Sequence, residues 1–137
     1  MTFLVDTNVL SEIHKRLPNP GVDQWFSDTP PEQLRISVLT VGEIGKGITQ
    51  LRERGDEQQA AHFQTWLDDV VAAFGNQIVP VTLEIASQWS TQSGRQPVAV
   101  VDGLIAATAR VHGWTVVTRN VKHFEWVGMR VVNPFTG

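Results

Sequence analysis

Short apolar runs rich in β-branched residues alternate along this chain with stretches of helical periodicity, and that alternation constrains the fold most. Strands are expected at Thr2–Val5, Leu34–Leu39, Ile78–Val81, Trp114–Val117 and Met129–Val132. Between them lie short helical patterns at Val9–Lys15 and Val22–Ser27. A helix beginning at Thr40 places Val41, Ile44, Ile48 and Leu51 on one stripe and is broken at Gly55-Asp56. The next runs to about Phe74, another spans Leu83 to about Gln92, and a third is headed by Asp102 and closes at Gly113. Gly94 and Pro97 mark a loop, and Val98–Val101 reads equally as a buried strand or a helix lead-in. Strands alternating with helices indicate a parallel sheet covered on both faces. With no repeat or linker-like tract in 137 residues, a single α/β domain over 1–137 is expected.

Composition removes several classes. The chain has no cysteine, which excludes disulfide frameworks and thiolate zinc sites. A hydrophobic content of 42% against 18% charged residues belongs to an ordered globular protein rather than a disordered one. No stretch approaches the roughly 20 apolar residues that span a bilayer. The N-terminus lacks the basic start and apolar core of a signal peptide. A cytoplasmic protein without membrane association is therefore expected. The net charge of −3 gives no global attraction to nucleic acid. A nuclease that concentrates acids at a metal centre has the same balance, so charge decides nothing.

The apolar run Phe3-Leu4-Val5 ends abruptly in Asp6, and Thr7-Asn8 open a helix. In an open parallel sheet, ligands bind in the crevice beyond the carboxyl ends of the strands. Asp6 stands at that crevice if its strand is central. Glu43 and Asp102 occupy comparable places, each near the head of a helix after an apolar run. Three carboxylates converging on one edge would make a metal site. Each also has a plain structural reading. Asp6 is a suitable helix N-cap, although Thr7 or Asn8 would cap equally well. Thr40-Val41-Gly42-Glu43 fits a capping box. Asp102 also suits an N-cap, yet it leads a stripe of Ile105, Ala106 and Ala109, where an unpaired charge is costly. Asn120, after Val116-Val117, offers a neutral oxygen ligand or a hold on metal-bound water.

Gly45 and Gly47 lie inside the helix that carries Glu43, where each costs up to ~1 kcal/mol relative to Ala. Gly47 sits one turn beyond Glu43, and the bare surface suits close backbone packing or an approaching ligand. The run Gly42–Gly47 lacks the spacing of a phosphate loop and its Ser/Thr after Lys. His14, His62, His112 and His123 show no metal-ligand spacing and read as surface residues. The five tryptophans mostly occupy amphipathic positions, which favours core packing over base stacking.

Taken together, Val5-Asp6-Thr7-Asn8-Val9-Leu10-Ser11, Gly42-Glu43-Ile44 through Gly47, Asp102 through Ile105-Ala106-Ala107-Thr108-Ala109, and Thr118-Arg119-Asn120 resemble the PIN domains. The resemblance is strongest to VapC- and FitB-like toxins of type II toxin–antitoxin systems. It spans essentially the whole chain, through Val131-Val132-Asn133-Pro134-Phe135. It implies a three-layer α/β/α fold with a mainly parallel sheet and an endoribonuclease that depends on Mg2+ or Mn2+. The family's first three acids map onto Asp6, Glu43 and Asp102. The fourth falls at Asn120, a departure that bears on a second metal rather than the first. His123 stands where many relatives carry an acid. The resemblance also implies an RNA substrate, a homodimer, and a cognate antitoxin that inserts a segment, often with a basic residue, into the acidic cleft.

Hard divalent ions take carboxylate and water oxygens, which agrees with this reading. Asp6 and Asp102 would bind metal directly or through water, and Glu43 would orient or deprotonate the attacking water. Thr7, Asn8 and Thr118 would position water or phosphate, with Arg119 or Lys122 on the RNA backbone. Two other readings compete. Asp6 as a covalent phosphoryl acceptor requires a second acid close by in sequence, which Asp6-Thr7-Asn8 lacks. A non-catalytic module that docks a basic peptide is kept open by Asn120.

Overall fold

The computed structural model describes residues 1–92, 99–125 and 129–136. Its centre is a five-stranded sheet built from β1 (Phe3–Val5), β2 (Leu34–Ser37), β3 (Ile78–Val79), β4 (Thr115–Val117) and β5 (Val131–Val132). The strand order is β3-β2-β1-β4-β5, and every pairing is parallel. Phe3 lies opposite both Leu34 and Thr115, and Val5 opposite Val117. The chain steps from β1 outward to β2 and β3, then returns to place β4 on the other flank of β1. That reversal puts a crevice at the adjoining carboxyl ends of β1 and β4.

Strand side chains alternate between the two faces, and each face is covered. Val5, Leu34, Ile36 and Val117 join one core with Val9 and Leu10 of α1 (Thr7–His14) and Val22 of α2 (Pro20–Asp28). Ile44 and Ile48 of α3 (Val38–Glu53) and Leu67 and Val70 of α4 (Glu57–Phe74) complete it. Leu4 and Val116 point the other way. They pack with Ile105, Ala106 and Ala109 of α6 (Val100–His112) and Phe124 of α7 (Lys122–Glu125). Helix α5 (Leu83–Gln92) lies against α6, where Gln92 Nε2 donates to the Gly103 carbonyl at 2.8 Å. The result is the expected three-layer α/β/α arrangement. No helix among the described residues is long and apolar enough to cross a membrane.

The boundaries differ from expectation where capping outweighs side-chain propensity. Strand β2 stops at Ser37, whose hydroxyl accepts the Leu39 N–H at 3.0 Å and caps α3. Val38 and Leu39, apolar and strand-like in sequence, are thereby helical. Thr40 becomes a first-turn residue that leads the buried stripe Thr40, Ile44 and Ile48. No Thr40–Glu43 capping box forms. Val100 and Val101 are helical as well, so Asp102 is the third residue of α6 and not its cap; Ala99 fills that position without a side-chain bond. Val98 and the expected loop at Gly94 and Pro97 lie outside the described residues. Helix α7 has no counterpart in the sequence expectation. His14 is half-buried, stacked on Trp66 with ring centroids 4.3 Å apart and next to His62, so it is not a plain surface residue. Burial, followed by the neighbouring His62, holds its imidazole below the usual range.

Glycine matters at two positions for different reasons. Gly113 closes α6 with φ 73°, a left-handed conformation that turns the chain into β4. At Gly21 the limit is space, because a Cβ there would lie 2.3 Å from the Pro134 carbonyl oxygen, where α2 meets the C-terminal segment. A Cβ at Gly45 would meet nothing within 4 Å. Gly21→Ala is therefore expected to destabilise the protein by about 1–3 kcal/mol. Gly45→Ala is expected to stabilise it by up to about 1 kcal/mol. Urea unfolding of both variants checks the pair, and the same sign for both would contradict this packing.

A candidate active site at the carboxyl edge of the sheet

Asp6 follows β1 directly and is held from several directions. Its N–H donates to the Val117 carbonyl at 2.9 Å, which continues the β1–β4 pairing one residue into the crevice. Its Oδ1 accepts the Thr7 N–H at 2.9 Å, so Asp6 does cap α1. That leaves Oδ2, which accepts the Thr118 hydroxyl at 2.7 Å and the Asn8 side-chain amide at 3.2 Å. Capping and placement at the crevice are thus compatible in one side chain.

The loop after β4 is tied to the same carboxylate. Thr118 is fully buried, and its Oγ1 also accepts the Asn120 N–H at 3.0 Å. Asn8 Oδ1 accepts the Arg119 N–H at 3.1 Å. Asn8 therefore bridges Asp6 and the Thr118–Asn120 loop, with both ends of its amide engaged. The Arg119 guanidinium lies over the Phe135 ring at 4.5 Å from its centroid. The side chains of Asn120 and Lys122 are exposed.

Glu43 and Asp102 approach from the two flanking layers. Glu43, on the second turn of α3, accepts the Thr7 hydroxyl at 2.6 Å. Asp102, on the first turn of α6, has its Oδ2 2.6 Å from His123 Nδ1 on α7. A carboxylate only accepts, so His123 Nδ1 is the donor. Sequence reasoning overlooked this partner of Asp102, because 21 residues separate the two and neither strand nor helix periodicity links them.

Asp6 is only 3% exposed. Burial pushes its pKa above the ordinary value of 3.8, and the nearby charges of Asp102 and Glu43 push it further; the Thr118 and Thr7 hydrogen bonds oppose the rise. Among the described residues no Lys, Arg or His lies within 4.0 Å of Asp6 or Glu43. The contrast with Glu12, the other buried acid, is informative. Lys15 at 2.9 Å and then the Asn19 N–H hold the Glu12 carboxyl below the usual range. Among the described residues, Glu12 has a cationic partner and Asp6 has none.

The three carboxylates at the edge offer hard, negatively charged oxygen, and among the described residues no cation pairs with Asp6 or Glu43, which suits Mg2+ or Mn2+. Among the described residues, however, no three Asp, Glu or His side chains come close enough to grip a single ion. The three acids surround one edge without forming a closed clamp. That geometry fits an ion that keeps several of its waters.

Beside Glu43 the surface opens into a cavity of about 300 Å³, lined by Thr7, Ile44, Gly47, Leu51, Phe63 and Trp66 among others. A Cβ at Gly42, Gly45 or Gly47 would meet nothing within 4 Å, so these glycines serve no close backbone packing. Gly47 instead leaves the cavity floor bare.

Comparison with known proteins agrees with this architecture. The PIN domain family profile matches residues 3–127. The chain is 30% identical to "VapC ribonuclease Y4jK" of Sinorhizobium fredii, over 97% of each chain. It is also 30% identical to "Toxin FitB" of Neisseria gonorrhoeae, over 97% of this chain and 98% of that protein. The crystal structure of FitAcB from Neisseria gonorrhoeae superposes with a TM-score of 0.87 at 28% identity, covering 98% of this chain and 99% of that one. The chain therefore belongs to the PIN domain family, among VapC- and FitB-like toxins.

The raised pKa of Asp6 carries a sign. Between its ordinary and folded values the native state binds more protons than the unfolded chain, so its contribution to stability declines as pH rises through that window. Asp6→Asn removes this titration. The melting temperature of Asp6→Asn minus that of the wild type is expected to rise from about pH 4 to about pH 7. Thermal unfolding across that range checks it; a flat or falling difference contradicts the assignment.

Proposed function

We propose that this protein is a Mg2+- or Mn2+-dependent endoribonuclease, the toxin of a type II toxin–antitoxin module, acting in the cytoplasm as a homodimer. One observation carries the reading: a buried carboxylate at the β1–β4 crevice with no cationic partner among the described residues, and with Glu43 and Asp102 close enough to raise its pKa. Such an edge favours a divalent cation and, through it, a phosphodiester. Relatives named as ribonucleases and toxins support the same chemistry.

In this reading Asp6 and Asp102 hold the ion, directly or through water, and His123 fixes the Asp102 carboxylate. When bound there, such an ion would lower the pKa of a water and offset charge at phosphorus. Glu43, one oxygen occupied by Thr7, uses the other to orient the attacking water and take its proton. Asn120 gives the site a neutral oxygen for a water. Thr7, Asn8 and Thr118 act on water and phosphate through the carboxylates and the loop that they hold. Arg119, its guanidinium resting on the Phe135 ring, and Lys122 meet the RNA backbone.

The partner that silences the toxin is a cognate antitoxin. An acidic edge running into an apolar cavity lined by Leu51, Phe63 and Trp66 complements a segment with one basic and several apolar side chains. Solved neighbours include "Structure of FitAB bound to IR36 DNA fragment", with a TM-score of 0.87 at 28% identity.

The test is cleavage of a mixed structured RNA pool by antitoxin-free protein with Mg2+, Mn2+ or EDTA. Cuts are expected with either metal and none with EDTA, and Asp6→Asn should lower the rate by at least about 100-fold. Cleavage retained in EDTA or in folded Asp6→Asn would overturn the reading. A folded, metal-supplied wild type that binds antitoxin and never cuts would favour a docking module.

A further inference from the structure

The hydroxyl of Thr40 has no part in the site as described so far, yet its position demands a reason. Thr40 is 0% exposed and heads the otherwise apolar stripe of Ile44 and Ile48 on α3. A valine would fill that space without burying a polar group. Among the described residues its hydroxyl contacts one partner, Thr7 Oγ1 at 3.2 Å.

Proton counting gives this contact a direction. Thr7 Oγ1 carries a single proton and lies 2.6 Å from Glu43 Oε1 and 3.2 Å from Thr40 Oγ1. A carboxylate has no proton to give, so the short contact takes the Thr7 proton. The Thr7–Thr40 contact is then made by the Thr40 proton. The chain runs Thr40 to Thr7 to Glu43, from a wholly buried donor to an exposed acid. Thr7 is also fixed from the other side, since its N–H is bound by Asp6 Oδ1. One residue thereby couples the acid that follows β1 to the acid on α3.

We propose that Thr40 is a positioning residue. Its buried hydroxyl leaves Thr7 one orientation, with its proton toward Glu43, and so sets the direction of the Glu43 carboxylate. The catalytic consequence rests on the nuclease reading above; the side-chain geometry does not.

The test pairs Thr40→Val, which keeps the shape, with Thr40→Ser, which keeps the hydroxyl. NMR coupling constants are expected to show single χ1 rotamers for Thr7 and Glu43 in the wild type and in Thr40→Ser, and averaging in Thr40→Val. On the mixed structured RNA pool with Mg2+, single-turnover cleavage by Thr40→Val is expected to fall roughly 10-fold, with RNA retention unchanged. Thr40→Ser should stay within about 2-fold of the wild type, and Thr40→Val should add no further loss to Glu43→Gln. Unchanged couplings in Thr40→Val, or a loss that persists in full in the Glu43→Gln background, would overturn the proposal. A wild type that cuts no RNA would sink the nuclease reading alone, since the couplings still decide the role of Thr40. If Thr40→Val does not fold, the wild-type hydroxyl decides: a slowly exchanging Thr40 proton with a cross-peak to Thr7 supports the chain, and rapid exchange overturns it.

Discussion

The structure turns on one buried charge. Asp6 places a carboxylate at the seam between two strands, where an unpaired ion is costly. Three hydrogen bonds to the carboxylate make it tolerable, from the Thr7 N–H, the Thr118 hydroxyl and the Asn8 amide, while the Asp6 N–H on the Val117 carbonyl holds its backbone in the seam. These same bonds fix the start of α1 and the path of the chain after β4. The carboxylate is thus a structural hub as well as the most acid-rich point of the sheet edge. Its remaining electrostatic deficit, visible in a pKa raised by burial and by two neighbouring acids, is what a cation would relieve.

Neighbouring layers contribute by symmetry of position rather than by contact. Helix α3 brings Glu43 from one side of the sheet and α6 brings Asp102 from the other, and each acid has one short bond that orients it. Thr7 serves Glu43 and His123 serves Asp102. Among the described residues neither bond closes a ligand cage, so the edge stays open, which suits the metal-assisted attack by water proposed above. The cavity beside Glu43 extends the edge into apolar surface, which broadens what the crevice can dock without altering its charge.

Two capping choices illustrate how local chemistry fixes the site. Ser37 ends β2 and caps α3, and the resulting phase turns Thr40 inward and Glu43 outward on successive faces. Had Thr40 been the cap, its side chain would have met backbone donors and Glu43 would have folded back onto them. Helix α6 begins at Val100 without a side-chain cap, which leaves Asp102 free of backbone duty and available to His123.

Much of this was legible in the chain itself. The alternation of β-branched runs with helical stripes determined a parallel sheet covered on both faces, because strand and helix periods are written in residue type. The abrupt step from Val5 to Asp6 marked the crevice, since an acid immediately after a buried strand stands where such sheets bind ligands. Tertiary structure alone decided the rest. Ser37 prevailed over Thr40 because capping geometry competes with propensity over only a few residues. The Asp102–His123 pair, the Asn8 bridge to the Arg119 N–H and the inward hydroxyl of Thr40 join residues that no sequence period connects. Such contacts depend on which strand returns beside β1, and that is settled by packing of the whole sheet rather than by any single segment.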